Sequence, residues 1–331
     1  MPLDINPPLL NSANPWATDL AQLRALYASP YTGAITTRTS LLAGFPHDDA
    51  VNQYTFFSPT TQAPAPGGPN PTPSTTPSTH AGSLNTLGYS PHPLSTYLAF
   101  AATLSAERPP SLPPKPIILS VTGPPADAAA CYALIAAAAA APLRAPLAME
   151  LNLSCPNIPD KPPPAHSRAA LADYLRALAA VVTPAVPLGL KVPPYAHAGA
   201  FAEFVGALAD VRPTPVSFVT AVNTLAPALV LRGEGLEGAL GSVGGSGVGG
   251  MAGAPLHPVA LGNVLGLREA MGRVEGLGHV MVIGVGGVED ADGWRRMRRV
   301  GAGAVGVGTA LGRFGVDVFE KIWKGVEGPK L

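Results

Sequence analysis

Leu147-Ala148-Met149-Glu150-Leu151-Asn152-Leu153-Ser154-Cys155-Pro156-Asn157 carries the reading of this chain. Its first half is an apolar run of strand length, the pattern of a strand buried on both faces. Its second half sets a thiol and two carboxamides where that strand ends. A proline-rich stretch, residues 158–165, then opens a loop. A thiol can move a proton, and paired carboxamides can read a ring that carries both donors and acceptors. A lone cysteine near a turn is more often a buried structural residue. The flanking asparagines and the rest of the chain turn the reading towards chemistry.

Outward from that strand the same pattern repeats. Apolar runs at 9–11, 34–37, 117–121, 188–192, 216–222, 280–284 and 304–307 join the run at 148–153 to make eight expected strands. Helical stretches lie between them. Leu171, Tyr174, Leu175, Leu178 and Val182 recur at helical spacing, as do Leu20, Leu23 and Tyr27, and Trp294, Met297 and Val300. The alanine tract at 126–141 has high helix propensity, and Pro142 marks its end. Strands alternating with helices over 331 residues predict an α/β fold, a (β/α)8 TIM barrel formed as a single domain. A doubly wound open sheet is the alternative. Residues 58–80 break the pattern. They are dominated by Pro, Ser, Thr, Gly and Ala, and the expectation is a mobile surface insertion.

Composition narrows the function. Lys plus Arg and Asp plus Glu both number 21, so no global field favours nucleic acid or an anionic membrane. Cys131 and Cys155 show no metal or redox spacing, nor do the seven histidines. Residues 1–8 carry no positive segment followed by an apolar one, and no apolar run is long enough to span a bilayer. A soluble, cytoplasmic protein is expected.

In barrels the chemistry sits at the C-terminal ends of the strands. Those ends deliver Ser12, Arg38, Ser120, the Asn152–Asn157 group, Lys191, Asn223 with Thr224, Gly286 with Gly287, and Gly308 with Thr309. A lysine inside an apolar strand is costly unless paired. It is either half of a buried ion pair or a cation set against a cofactor or a developing anion. Glycines after the last two strands let backbone N–H groups approach a phosphate. Gly245, Gly247 and Gly250 match a dinucleotide fingerprint by letter. No clear strand precedes them, and Pro255 and Pro258 interrupt the helix that should follow, so a close-approach loop fits better. Arg295, Arg296, Arg298 and Arg299 read as the solvated face of an outer helix rather than a nucleic-acid patch.

These residues resemble the class 1 dihydroorotate dehydrogenases, most closely the homodimeric, fumarate-using subgroup A. The segments that carry the resemblance are 150–157, 187–195 with Lys191 and Tyr195, 249–264 with Asn263, 283–287 and 301–311. The resemblance implies an FMN-containing barrel that oxidises dihydroorotate to orotate in pyrimidine biosynthesis. It implies Cys155 as the base, Lys191 beside the flavin's pyrimidine edge, and hydride transfer to the flavin. Asn85, Leu87, Gly88, Asn152, Asn157, Asn223 and Thr224 match the substrate site, with Thr224 where a serine is usual. Ser12, Ala13, Asn152, Gly249, Gly250, Gly286, Gly287, Gly308 and Thr309 match the cofactor site. Arg38 stands where the family has a lysine that serves both sites, and Asn14 where it has a glycine under the flavin. Arg38 motivates one alternative, an FMN oxidoreductase of the same fold with another substrate. A catalytically silent ligand-binding paralog is the other.

Overall fold

The computed structural model describes residues 3–71, 79–154 and 163–328, and within them twelve strands. In chain order these are β1 (Leu9–Asn11), β2 (Ile35–Thr36), β3 (Tyr54–Phe57), β4 (Gly82–Asn85), β5 (Ile117–Val121), β6 (Leu147–Asn152), β7 (Leu188–Val192), β8 (Val216–Ala221), β9 (Leu225–Ala228), β10 (Gly249–Gly253), β11 (Met281–Val285) and β12 (Ala304–Val307). Eight of them pair in parallel in the order β1-β12-β11-β8-β7-β6-β5-β2. A bridge between Leu10 and Ala34 brings the two ends of that order together. The Asn11 carboxamide completes the closure. Its Nδ2 donates to Thr36 O at 2.6 Å, and its Oδ1 accepts from Thr36 N at 2.9 Å. A side chain thus supplies the rungs that a two-residue strand is too short to make. The sheet is a (β/α)8 barrel, and its closure excludes the open doubly wound alternative. All eight expected strands are present, with ends within a residue or so of those read from the sequence.

The helices are α1 (Leu20–Ala28), α2 (Leu94–Glu107), α3 (Pro125–Ala139), α4 (Arg168–Ala179), α5 (Ala198–Asp210), α6 (His257–Gly272), α7 (Ala291–Arg299), α8 (Thr309–Phe314) and α9 (Asp317–Glu327). The faces predicted by spacing are buried on α1 and α4, while on α7 Met297 is buried and Trp294 half-buried. Leu171, Leu175 and Leu178 face inward on α4, and Leu23, Leu26 and Tyr27 on α1. The alanine tract becomes α3, burying Ala128, Cys131, Tyr132 and Ile135 and ending before Pro142. No described helix is long and apolar enough to cross a membrane.

The barrel interior is layered. One layer is apolar: Ile118, Ala148, Phe218, Ile283 and Ala304, with Leu3 and Ile5 of the N-terminal segment packed against it. Gly189 makes room for Phe218, since a Cβ there would lie 2.1 Å from the ring. Two residues further along β5, β6, β7 and β8 the inward positions are Ser120, Glu150, Lys191 and Thr220, all buried. Side-chain alternation therefore stacks a polar layer on an apolar one, towards the C-terminal ends of the strands.

A second sheet was not anticipated from the sequence. β3, β4, β10 and β9 pair antiparallel in that order. They arise from connections that follow β2 and β8, so they stand over the C-terminal face. Part of the 58–80 segment lies along this sheet. Ala65 N donates to Phe56 O at 2.7 Å, Asn70 N to Tyr54 O at 2.7 Å, and the Tyr54 hydroxyl to Pro71 O at 3.1 Å. Residues 72–78 lie outside the described residues.

Candidate active site

One cavity opens at the C-terminal face, with about 1000 Å³ of atom-free space including its mouth. Most of the residues singled out from the sequence converge on it. Ser12 and Ala13 come from the end of β1 and Arg38 follows β2. Asn85, Leu87 and Gly88 come from β4 and beyond. Asn152 and Lys191 stand on β6 and β7. Asn223 and Thr224 follow β8, Gly286 and Gly287 follow β11, and Gly308 and Thr309 follow β12. Gly249 and Gly250 do not line it. They sit in β10 behind the wall, where Asn85 Nδ2 donates to Gly250 O at 3.1 Å. A Cβ at Gly249 would meet Asn85 O at 2.1 Å, and one at Gly250 would meet Thr224 Oγ1 at 2.2 Å. Close packing requires both glycines, and Gly253 of the same strand reaches the wall. Cys155 and Asn157 lie outside the described residues, as do 158–162 of the proline-rich stretch.

Asn152 is held by an oriented chain of hydrogen bonds. Its Oδ1 accepts from Ser154 N at 3.2 Å and Ser154 Oγ at 2.8 Å, which fixes the amide. Its Nδ2 then donates to Thr39 Oγ1 at 3.1 Å. Thr39 Oγ1 lies 2.9 Å from Ser120 Oγ, and Ser120 Oγ donates to Glu150 Oε1 at 2.9 Å. A serine hydroxyl has one proton, so with that proton on the carboxylate it must accept from Thr39. Glu150, 1% exposed, also accepts from Thr220 Oγ1 at 2.6 Å through Oε2. A buried carboxylate thereby sets the direction of every donor up to Asn152. The second Nδ2 proton of Asn152 has no acceptor among the described residues and is available at the cavity wall. Asn223 sits alongside, donating to Ser154 O at 3.1 Å. It therefore anchors the backbone one residue before Cys155.

Two cations reach the same cavity. Lys191, 4% exposed, donates from Nζ to Ala13 O at 3.3 Å across the barrel mouth. Arg38, 9% exposed, lies 3.5 Å from Thr18 Oγ1 through Nη1, while its Nη2 is buried without a hydrogen-bond partner among the described residues. Burial pulls the guanidinium below its ordinary pKa, partly offset by the nearby Tyr97 hydroxyl. A buried guanidinium with an unused donor at a cavity wall calls for an anion or a carbonyl.

The β11–β12 side works without side chains. Gly287 has φ +66°, and a Cβ there would lie 2.7 Å from Gly253 O and 2.7 Å from His257 Cβ. Gly286, at φ +141°, would meet Ala260 Cβ at 2.5 Å. Neither position admits another residue without movement. The N–H groups of Gly287, Gly308 and Thr309 make no hydrogen bond among the described residues. They form a cradle of free donors suited to an anion.

The sequence reading missed several wall residues. Trp16 and Tyr54 line the cavity, with ring centroids 5.2 Å apart and edge to face. Trp16 also stacks on Phe56 at 5.7 Å. Ser83 ties the second sheet to the glycine side through a 2.7 Å contact with Thr309 Oγ1. A β3 strand rich in aromatic residues was the available signal. Asn14 turns on its own backbone, accepting from Trp16 N at 2.9 Å and donating to Ser12 O at 2.7 Å. Its φ of −158° is extended, so this position does not require glycine. Asn263 clamps the loop after β7 by accepting from Tyr195 N at 2.7 Å and donating to Tyr195 O at 3.2 Å. Tyr195 in turn donates to Ala165 O at 2.9 Å.

Known proteins resemble this chain in sequence and in fold. The dihydroorotate dehydrogenase family model matches residues 47–328. The dihydroorotate dehydrogenase (fumarate) of Trypanosoma cruzi is 31% identical over 264 residues, 79% of this chain and 76% of that protein. Dihydroorotate dehydrogenase A (fumarate) of Lactococcus lactis is 33% identical over 181 residues, 54% of this chain and 53% of that protein. In fold, the chain is similar to the DHODH of Eimeria tenella solved in complex with ferulenol. The TM-score is 0.66 and the identity 15%, covering 96% of this chain and 80% of the other. Because the family match takes in the second sheet and every barrel strand from β5 to β12, this chain belongs to the dihydroorotate dehydrogenase family.

Proposed function

We propose that this chain oxidises dihydroorotate to orotate with FMN bound in the cavity, using fumarate as electron acceptor. The observation that carries the reading is the composition of one cavity. Free backbone donors line its β11–β12 side, and carboxamides and two cations stand among the aromatic and apolar residues of the rest. The glycine cradle suits the phosphate, and the unused Arg38 donor suits a substrate carboxylate. Asn85, Asn152, Asn223 and Thr224 suit a ring of alternating N–H and C=O groups. Bound there, FMN would supply the hydride acceptor.

The chain's own residues do the remaining work. Lys191 sets positive charge against the pyrimidine edge of the cofactor. Asn152 and Asn223 orient the substrate ring. Cys155 takes the proton from that ring. A free thiol has a pKa near roughly 8.5, so little of it is thiolate at neutral pH. Acting as a base at neutral pH therefore requires local activation of the thiol or exclusion of water from the site. Fumarate as oxidant follows the names of the relatives. A cytoplasmic homodimer follows the family pattern.

Arg38 supports a second reading, an FMN enzyme of this fold acting on a different anionic ring. The guanidinium is larger and planar where the family uses a lysine. Anaerobic titration with L-dihydroorotate, followed by the visible flavin absorbance, separates the two. Rapid bleaching is expected, slowed by about 10²-fold or more in Cys155→Ala. A yellow protein that dihydroorotate does not bleach, but another dihydropyrimidine does, would establish the second reading. A protein that takes up no FMN would sink both.

A further inference from the structure

The Gly286–Gly287 turn is held from behind by two side chains outside the cavity wall. His257 opens α6 and is 8% exposed. Its Nδ1 lies 2.7 Å from Gly286 O, and Arg296 on α7 donates from Nε to its Nε2 at 3.0 Å. Arginine has donors only, so Nε2 must accept. The ring proton therefore sits on Nδ1 and is donated to Gly286 O. Arg296 thus sets the tautomer, and the tautomer sets the bond to the turn.

That bond orients a peptide. In a trans peptide the carbonyl of Gly286 and the N–H of Gly287 point in opposite directions. His257 is not part of the cavity wall, whereas Gly286 and Gly287 both are. Tying the carbonyl back to His257 therefore turns the Gly287 N–H away from His257 and towards the cavity. This N–H has no hydrogen bond among the described residues. The packing is tight as well, since His257 Cβ occupies the space a Gly287 Cβ would need.

We propose that His257, held in one tautomer by Arg296, is a positioning residue for the phosphate end of the cofactor. It fixes the Gly286–Gly287 peptide so that a backbone donor meets the phosphate. The proposal rests on the FMN reading of the cavity. It deepens that reading by assigning part of the affinity for the phosphate, as distinct from the ring, to a side-chain pair that touches neither.

The test compares FMN with riboflavin, which lacks the phosphate. Both are titrated into flavin-free protein, with binding read from quenching of flavin fluorescence. Wild-type protein should prefer FMN. His257→Ala should bind FMN about tenfold more weakly and riboflavin unchanged. His257→Asn should recover most of the loss, because its carboxamide can donate to Gly286 O. Arg296→Gln should fall between them. Arg296 lies on the outer helix, so this variant carries the test alone if His257→Ala does not fold. Equal losses for FMN and riboflavin, or no loss of FMN affinity, would overturn the proposal and leave the FMN reading standing. Wild-type protein that binds neither flavin would overturn both.

Discussion

Two buried lysines stand at opposite ends of the barrel, and each is 4% exposed. Lys191 lies near the C-terminal end of β7 and reaches the cavity. Lys115 lies just before β5, at the N-terminal face. Its Nζ donates to Tyr27 O at 2.9 Å, Ser29 O at 2.6 Å and Thr32 Oγ1 at 2.9 Å. An ammonium has three protons, and these acceptors take all three. The side chain also lies 5.6 Å from the centre of the Tyr27 ring, which Arg108 approaches at 5.0 Å. Lys115 is thus a fastener between the α1 region and the start of β5. Similar burial hides opposite roles. At one end the cation is consumed by the fold, and at the other it reaches the wall of the cavity. The division follows the barrel rule that one face carries chemistry and the other stability.

The largest effect should come from Lys191→Met. Losing charge stabilisation at the reacting ligand typically costs about 10²–10³ in rate. The rate of flavin bleaching by dihydroorotate should fall by that order, with the thermal midpoint little changed. A variant that instead unfolds early and keeps its rate would reverse the roles assigned to the two lysines. Lys115→Met should do the opposite. It removes a buried charge and takes a charged donor from two carbonyls and a hydroxyl, a loss of about 1–3 kcal/mol. Denaturant titration should show that loss, and bleaching by dihydroorotate should proceed at the wild-type rate. If rate and stability fell together, the two ends of the barrel would not be separable.

The same contrast explains what could be read from the sequence. Lys191 was legible because it interrupts an apolar run, Leu188–Val192, in which every other residue is apolar or glycine. Lys115 sits between Pro114 and Pro116, outside any run, and its acceptors, two carbonyls and a hydroxyl, lie 83 to 88 residues away. Buried parallel strands write themselves as continuous apolar stretches, so the barrel could be counted strand by strand. The second sheet could not. β4 is short and largely polar and β10 is rich in glycine, so both lack that signature, and they pair across 165 residues at Asn85 and Gly250. Glycine there serves close approach, which no local propensity reports. His257 was silent for a similar reason, since its partner Gly286 lies 29 residues on. The Arg295–Arg299 cluster is engaged locally. Arg295 pairs with Asp292, and Arg298 donates to Ala302 O. Burial pushes the Cys131 thiol up to about 11 inside α3, where it serves as packing.

The smallest effect is a slope rather than a loss. Burial, with Arg108 nearby, pulls Lys115 down from its ordinary value to about 7, against three acceptors that favour the charged form. Arg108 Nη1 donates to Tyr27 O at 3.2 Å, the carbonyl that Lys115 also uses, so two cations share one acceptor. In the unfolded chain the amine keeps a pKa near roughly 10.4. Between those values the unfolded state binds the proton and the folded state does not, so stability rises with pH. Below pH 7 both states are charged, the burial cost is fully present, and the contribution is flat. The expected slope is at most about 1.4 kcal/mol per pH unit above neutrality. Other groups titrate in the same window, so the quantity to measure is the difference between wild type and Lys115→Met from pH 6 to 9. That difference should be constant up to pH 7 and then shift in favour of the wild type. A difference that stays constant throughout would mean that the three acceptors hold Lys115 charged across the range.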